Sequence, residues 1–409
     1  MKECQADVLV IGAGPSGAIA SALLVRKGWK VAVIERQEFP RFSIGESLLP
    51  QCMEFIEQAG MLDAVNAAGF QFKNGAAFEW AGARTAFDFP DKFSPGHGTT
   101  FQVQRGNFDK LLADEAEKQG AEIHYRHTIV SAEIEPGNAR LIAECDGEQV
   151  AFTGKFVLDA SGFGRVLPRL LDLNRPSDFP VRQSVFTHVQ DNIDEPGFDR
   201  DKILITVHPE QRDIWYWLIP FAGGRASLGV VGKQEQIEAL GKTPEEILRA
   251  AVAGSPNLAT TLENAEFDTP VQRITGYASD VKSLTGPGFA LLGNAGEFLD
   301  PVFSSGVTIA MKSAQLASDC LDRELRGETV DWQAEFAAPL KAGVDVFKVY
   351  VTAWYEGTFQ DVIFHPNPQP EIKRMICSIL AGYAWDTNNP YVASAGRRLR
   401  TLAEICARD

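Results

Sequence analysis

Short apolar runs alternate with amphipathic segments along the first part of the chain. Residues 8–11 (VLVI) and 31–34 (VAVI) have the composition of buried parallel strands, and the segment between them spaces its apolar residues as a helix does. An amphipathic helix followed by a strand occupies 103–125, and another strand, FVLD, follows at 156–159. A strand, a polar turn and a long helix come later, over 288–321. This order predicts an α/β, Rossmann-type fold around a central parallel sheet.

The middle of the chain consists mainly of strand-length runs. Four runs between 181 and 269 alternate apolar and polar residues, and 76–100 adds two more, so we predict a second, half-exposed antiparallel or mixed sheet. The segment 331–409 predicts a short helical C-terminal region. Its apolar stripe is assigned to core packing, with the lining of a substrate chamber as the alternative. The stripe consists of Phe347, Tyr350, Val351, Trp354, Tyr355 and Phe359.

Composition limits the classes of partner. The 409 residues are 45% hydrophobic and 23% charged, as in ordinary soluble proteins. The net charge of −15 argues against nucleic acid or an anionic membrane surface, because both favour clustered lysine and arginine. No run of about 18 apolar residues appears, and the first strand begins almost at once, without a leader. We therefore predict a cytoplasmic protein with no integral membrane segment that acts on small molecules or binds proteins.

Metal ligands do not cluster along the sequence. The six cysteines are scattered without a CxxC pair, so neither a zinc site nor a disulfide framework is indicated. His124 and His127 are three residues apart in a stretch that alternates like a strand, and such residues point to opposite faces. The sequence predicts no metal site.

A glycine-rich turn follows the first apolar strand. Gly12, Gly14 and Gly17 form GxGxxG between that strand and the helix, and Glu35 ends the second strand. The first glycine turns the chain, the second lets backbone amides approach a pyrophosphate, and the third allows the helix to pack closely. An acid at this distance accepts hydrogen bonds from ribose hydroxyls. The unit predicts a dinucleotide site.

Four later stretches resemble a known group of flavoproteins. Over roughly 5–320 the layout looks like the FAD-dependent group that includes aromatic hydroxylases, geranylgeranyl reductases and flavin-dependent halogenases. FPRFSIGESLLP (39–50) is similar to a stretch shared by the reductases and halogenases. WYWLIP (215–220) and FLDPVFSSG (298–306) match the halogenase signatures WxWxIP and FxxPxxSxG. GFQFKNGAAFEW (69–80) resembles the segment that carries the essential lysine in halogenases of phenols and pyrroles.

The resemblance implies FAD as cofactor and a discontinuous FAD-binding domain, with the second sheet as a roof over the flavin. The predicted ranges are 1–75, 101–180 and 270–330 for the FAD-binding domain, 76–100 and 181–269 for the substrate-side sheet, and 331–409 for the helical region.

The resemblance also implies a reaction. Reduced FAD, oxygen and chloride or bromide would give hypohalous acid, which reaches a substrate chamber separate from the flavin. Lys73 is the catalytic residue that the resemblance implies. Its amine can donate a hydrogen bond or form a haloamine, and burial can move its pKa. The alternative is a surface lysine beside a turn at Asn74 and Gly75.

Two further groups of residues have implied roles. Trp215, Trp217 and Pro220 are assigned to a partition between the flavin and the substrate, with ordinary core packing as the alternative. The backbone amides of Ser305 and Gly306 correspond to the halide site, and the alternative there is a serine cap on the following helix.

The remaining predicted cofactor-binding residues are two arginines, an aspartate, a proline and an asparagine. Arg41 and Arg105 are expected to contact phosphate or ribose, with surface positions as the alternative, and Asp159 to close the site. Pro301 belongs to the second signature. Asn294 stands where many relatives have an aspartate that bonds the ribityl chain, so FAD affinity is in question.

The short C-terminal region bears on the substrate, and the halogenase resemblance implies the partners. Halogenases of free tryptophan have a longer lobe with a second carboxylate, so we expect an electron-rich phenol or pyrrole, free or tethered to a carrier protein. A separate NAD(P)H-dependent flavin reductase is the expected electron source. The alternatives are a flavin monooxygenase, a geranylgeranyl-reductase-like double-bond reductase, or a non-catalytic FAD-binding protein.

Overall fold

The computed structural model describes residues 2–407, which contain 21 strands and 14 α-helices. The strands are β1 (Lys2–Gln5), β2 (Val8–Ile11), β3 (Val31–Ile34), β4 (Gln71–Lys73), β5 (Gly75–Trp80), β6 (Ala83–Asp88), β7 (Thr100–Gln102), β8 (Glu122–His124), β9 (Thr128–Glu135), β10 (Asn138–Cys145), β11 (Glu148–Gly154), β12 (Phe156–Asp159), β13 (Asn174–Arg175), β14 (Arg182–Gln190), β15 (Lys202–Val207), β16 (Trp215–Pro220), β17 (Arg225–Lys233), β18 (Gln272–Thr275), β19 (Asp280–Val281), β20 (Thr285–Gly286) and β21 (Phe289–Leu291).

The helices are α1 (Pro15–Arg26), α2 (Gln51–Gln58), α3 (Leu62–Ala67), α4 (Arg105–Gln119), α5 (Val166–Leu170), α6 (Gln234–Glu238), α7 (Pro244–Ala253), α8 (Pro256–Thr261), α9 (Ser305–Leu325), α10 (Ala338–Tyr355), α11 (Thr358–Ile363), α12 (Pro370–Leu380), α13 (Pro390–Ala393) and α14 (Ala395–Cys406). Short 3₁₀ turns occur at Phe89–Asp91, Gly162–Gly164 and Gly293–Ala295, and a π-helical turn occurs at Gln333–Ala337.

A six-stranded sheet forms the centre of the nucleotide-binding part. Its strand order is β20-β21-β12-β2-β3-β8, and β2 pairs in parallel with both β3 and β12. All four residues of β2, of β3 and of β12 are buried, as expected for strands covered on both faces. Helix α1 packs against α9 and α4. The predicted Rossmann-type α/β fold is confirmed.

A four-stranded sheet, β1-β11-β10-β9, lies beside the central sheet and was not predicted as a separate unit. Strand β1 pairs in parallel with β11, while β10 is antiparallel to β9 and β11. The N-terminal residues thus join strands made more than 140 residues later, a pairing that local sequence pattern does not contain.

The second large sheet has seven strands in the order β18-β14-β17-β16-β15-β5-β6. It is mixed, because β15 runs parallel to β5 while the other pairs are antiparallel. Strand β18 lies at its edge, although 270–330 was assigned to the FAD-binding part. The prediction of a half-exposed sheet is wrong: every residue of β15 and β16 is buried. Helices α6 to α8 supply an apolar cluster on the outer face, where Tyr216 and Leu218 pack.

The C-terminal helices close the molecule. The aromatic stripe of α10 and α11 is buried, with Tyr355 half-buried, so its assignment to core packing is confirmed. Within residues 2–407, the longest helices are all too short or too polar to span a bilayer.

The prediction that His124 and His127 face opposite ways is also wrong. Strand β8 ends at His124, and Arg126 adopts a left-handed conformation with φ of 62°. The chain therefore turns, and the two imidazole rings meet edge to face with centroids 5.7 Å apart.

Candidate active site

A cavity of about 450 Å³ lies between the central sheet and the seven-stranded sheet. Gly12, Gly14 and Glu35 line one side of it, and Trp215 and Trp217 line another. Gly12 and Gly17 also lie close to the backbone of neighbouring residues. Most predicted site residues therefore surround one space, although they come from distant parts of the chain.

The glycine turn has no room for a side chain at its first and third positions. Gly12 has φ of 94°, and a Cβ there would lie 2.7 Å from the carbonyl oxygen of Ala160. A Cβ on Gly17 would lie 1.9 Å from the Gly12 oxygen. The turn thus brings the N-terminus of α1 directly to the cavity, where its free amides and positive dipole end suit a pyrophosphate.

Glu35 is held by backbone amides next to the turn. One carboxylate oxygen accepts from the Ala13 N–H and the other from the Gln37 N–H, each at 2.8 Å. Each oxygen keeps a second lone pair, so the carboxylate can also accept from a ribose hydroxyl. The contact to Ala13 gives Glu35 a second task, fixing the glycine turn.

Arg41 and Arg105 share a buried carboxylate that sequence reasoning missed. Arg105 donates two hydrogen bonds to Asp109, at 2.7 and 3.0 Å, and a third to the Ile44 carbonyl at 2.6 Å. Arg41 donates to the same Asp109 at 3.1 Å. Both arginines line the cavity and their side chains are largely buried, so the surface alternative is wrong. The i,i+4 spacing of Arg105 and Asp109 on α4 was the available signal.

Asp159 holds a loop of the cavity wall in place through hydrogen bonds to backbone amides. Its two oxygens accept from the N–H groups of Ser161 and Leu167, at 2.9 and 2.7 Å. Burial raises the pKa of this carboxyl group. Ser161 and Gly162 line the cavity, so Asp159 acts by fixing the loop that carries them.

The second signature forms the opposite wall. Asn294, Pro301 and Gly306 line the cavity. Ser304 is left-handed, with φ of 56°, and turns the chain into the 21-residue helix α9, which begins at the buried Ser305. Ser304 makes no capping hydrogen bond through its side chain in the described structure, so the amides of the first turn remain available to an anion.

The two tryptophans point to the same face of β16, as their spacing predicts. Their ring centroids are 5.9 Å apart, and both side chains are buried and contact the cavity. The Trp217 N–H donates to the Ser227 hydroxyl at 3.0 Å. Pro220 is buried and ends the strand.

A hydrogen-bonded chain behind Trp215 was not foreseen. The Trp215 indole N–H donates to the Tyr355 hydroxyl at 2.9 Å, and this hydroxyl donates to Asp300 at 2.9 Å. The guanidinium of Arg182 stacks 3.3 Å above the Tyr355 ring. Burial raises the pKa of Asp300 to about 6. Because Asp300 precedes Pro301 in the signature turn, this chain connects α10 to two cavity walls.

A buried glutamate on the cavity wall pairs with a half-buried histidine of the second sheet. Glu46, from the GESLLP stretch, lines the cavity, and its carboxylate lies 2.5 Å from the His188 Nε2 atom on β14. This contact connects the segment that contains Arg41 and Glu46 to the seven-stranded sheet. Its partners are separated by 142 residues, beyond the reach of local pattern.

Lys73 is completely buried, which excludes the surface alternative. Its Nζ atom donates to the Leu48 carbonyl at 2.7 Å and lies 5.3 Å from the centroid of the Phe89 ring. Burial without a carboxylate partner lowers its pKa from 10.5 to about 7. Lys73 is not among the residues that line the cavity. It contacts Leu48, the neighbour of the cavity-lining Ser47, and so lies behind that wall.

Together these walls fit FAD. A glycine turn crowded by backbone at Gly12 and Gly17, a helix N-terminus for phosphates and a carboxylate for ribose meet at one cavity. The fold and this site place the protein in the class of FAD-dependent enzymes.

Comparison with known proteins gives the family. The model of the FAD binding domain family matches residues 5–285. A tryptophan 2-halogenase of Chondromyces crocatus is 32% identical over 78% of this chain, which spans 62% of that protein's length. A 1H-pyrrole-2-carbonyl (peptidyl-carrier protein) chlorinase of Pseudomonas fluorescens is 28% identical over 99% of this chain and 93% of its own. The chain belongs to the flavin-dependent halogenase family of oxidoreductases.

Solved structures have the same fold. A flavoprotein/dehydrogenase from Cytophaga hutchinsonii superposes with a TM-score of 0.96 at 44% identity, covering 99% of each chain. A triple mutant of the flavin-dependent brominase Bmp2 superposes with a TM-score of 0.84 at 26% identity, covering 99% of this chain and 100% of its own.

Proposed function

We propose that this enzyme uses reduced FAD, oxygen and chloride or bromide to halogenate an electron-rich aromatic ring, a phenol or a pyrrole. The observation that carries the proposal is Lys73, a buried lysine directly behind the wall of the flavin cavity, with a pKa of about 7. A lysine in apolar surroundings without a carboxylate partner weakens stability, so its presence favours a chemical task.

Lys73 would hold and aim hypohalous acid. Near neutral pH both the ammonium and the amine are populated, so one form donates a hydrogen bond while the other forms a haloamine. In the transfer step the halogen leaves oxygen for a ring carbon, the ring loses a proton, and water is the second product. The Leu48 carbonyl, which accepts from Nζ, orients the amine.

The other residues have separate tasks. Gly12, Gly14, Glu35 and Arg41 would hold the dinucleotide of FAD, with Arg105 and Asp159 fixing the loops that carry the contacts. When bound and reduced, FAD would supply the electrons that activate oxygen for reaction with halide.

The halide would bind the amides of Ser305 and Gly306 at the start of α9, where the helix dipole favours an anion. Trp215 and Trp217 would keep the aromatic substrate away from the flavin, where it would otherwise be hydroxylated. The chain through Tyr355 supports this wall, since it fixes the first indole.

The phenol or pyrrole substrate, free or tethered to a carrier protein, is supported by the Lys73 segment and by the pyrrole chlorinase, which matches nearly all of the chain. A tryptophan 2-halogenase is also similar, but this chain spans less of it. Electrons would come from a separate NAD(P)H-dependent flavin reductase.

The experiment supplies FAD, a flavin reductase, NADH, oxygen and bromide, with phloroglucinol as the electron-rich phenol and mass spectrometry as the readout. Excess methionine scavenges free hypobromite. We expect a bromide-dependent brominated product that disappears in Lys73→Met and Lys73→Ala. The matched control is Lys118→Met, because the Lys118 side chain is exposed on α4.

Retained FAD absorbance and circular dichroism show that a variant is folded. Bromination that persists in folded Lys73→Met would refute the catalytic role of the lysine. A hydroxylated product would instead favour the monooxygenase alternative, and anaerobic reduction of a polyene would favour the double-bond reductase.

A further inference from the structure

We propose that Cys4, Glu122 and His124 form a binding site for Zn²⁺ or a similar borderline cation, separate from the flavin cavity. The three side chains each offer one donor atom, and these atoms all lie within 4.8 Å of one another. Thiolate, imidazole and carboxylate are the ligand types that zinc takes in proteins, whereas Mg²⁺ and Ca²⁺ prefer oxygen alone.

Two sheets bring the donors together. Cys4 lies on β1, where it pairs with Phe152 in the four-stranded sheet. His124 lies on β8, where it pairs with Ile34 at the edge of the six-stranded sheet. Each backbone position is thus fixed by its own ladder, and the donors are preorganised although the two residues are 120 positions apart.

The distances fit tetrahedral coordination. Zinc bonds of about 2.3 Å to sulfur and about 2.0 Å to nitrogen, at a tetrahedral angle, separate the two ligand atoms by about 3.5 Å. The Cys4 Sγ to His124 Nε2 distance is 3.6 Å. The Glu122 oxygen lies 4.0 Å from the same nitrogen, and its side chain is 72% exposed, so a small rotation brings it into range. Water would complete the site.

The imidazole is also held from behind. The His124 ring contacts Phe152 and His127 edge to face, with centroid distances of 5.0 and 5.7 Å. Such packing keeps Nε2 directed at the thiol. A bound cation would join β1 to β8, and hence one sheet to the other, at the end of the chain's first strand. The sequence prediction of no metal site rested on linear spacing, which does not detect donors on separate strands.

The test uses the full-length, FAD-loaded protein and Zn²⁺ in competition with a chromophoric chelator. We expect one Zn²⁺ per chain. Cys4→Ser and His124→Gln should each reduce the affinity roughly 100-fold, because even mutation of a residue that only hydrogen-bonds to a metal ligand costs about 10- to 100-fold. Cys145→Ser, which removes a half-buried thiol elsewhere, should bind as the unchanged protein does.

Cobalt provides an independent readout, because a bound thiolate gives a near-ultraviolet charge-transfer band. That band should appear with Co²⁺ and vanish in Cys4→Ser, while circular dichroism reports that the variant is folded. Absence of stoichiometric binding, or binding that survives both Cys4→Ser and His124→Gln, would overturn the proposal.

Discussion

Replacing Lys73 with methionine is expected to make the protein more stable at neutral pH. Methionine has a similar length and no charge, so it can occupy the space between Leu48 and Phe89 without the cost of a buried amine. In the unfolded chain the lysine is protonated below a pH of about 10, whereas in the folded protein its pKa is about 7. The folded state therefore binds fewer protons between these values.

The size of the effect follows from that difference. Each factor of ten between the two ionisation constants is worth about 1.4 kcal/mol, so the unfavourable contribution of Lys73 approaches about 5 kcal/mol below pH 7 and is about 4 kcal/mol at pH 7. Methionine loses the hydrogen bond to the Leu48 carbonyl, which costs about 1–3 kcal/mol. The net gain in free energy of unfolding at pH 7 is about 2 kcal/mol.

The sign of the pH dependence is the sharper criterion. Because the folded pKa of Lys73 lies below the unfolded one, the unchanged protein gains stability as the pH rises from about 7 to about 10. The advantage of Lys73→Met is therefore largest at and below pH 7 and disappears toward pH 10. Urea unfolding midpoints of both proteins at several pH values in this range measure it, with Lys118→Met as the exposed-lysine control.

A constant difference between the two unfolding curves across this pH range would contradict the reasoning. It would mean that the Lys73 amine keeps its ordinary pKa in the folded protein, and that the site contains a counter-charge or water that the described contacts do not include.

Three further results are expected. The unchanged protein should lose stability as the pH rises from about 4 to about 6, because burial raises the Asp300 pKa to about 6 and the folded state then holds a proton that the unfolded state releases. Asp300→Asn should remove this loss, and thermal unfolding at several pH values in the range measures it. Gly12→Ala should abolish FAD retention, read by flavin absorbance, while Gly396→Ala, with open space around its position on α14, should not; equal retention would contradict the steric argument. Arg105→Lys should weaken FAD binding about tenfold or more, because lysine cannot make the two-pronged contact to Asp109; unchanged affinity would show that Arg41 alone suffices.

Local pattern was sufficient where a function depends on consecutive residues. The glycine turn at Gly12 and the same-face pair of Trp215 and Trp217 follow from spacing alone, and the structure has both as predicted. The outer face of the second sheet was mispredicted, because the alternation along its strands does not reveal that helices α6 to α8, which follow directly after β17, pack on that face.

The supporting contacts of the site were beyond sequence reasoning for a different reason. Asp300 and Tyr355 meet across 55 positions, and Glu46 and His188 meet across 142, so neither pair leaves a periodic trace. The turn after His124 needs a left-handed residue that is not glycine, and no composition rule predicts one there.

The division of the flavin cavity among distant segments constrains how the enzyme is made. Gly12 leaves the ribosome well before the wall carrying Gly306 is synthesised, and Tyr355 follows later still. A nascent chain therefore lacks a complete cofactor site until both segments have been made. Stable capture of FAD therefore has to follow the folding of segments that lie far apart in the sequence.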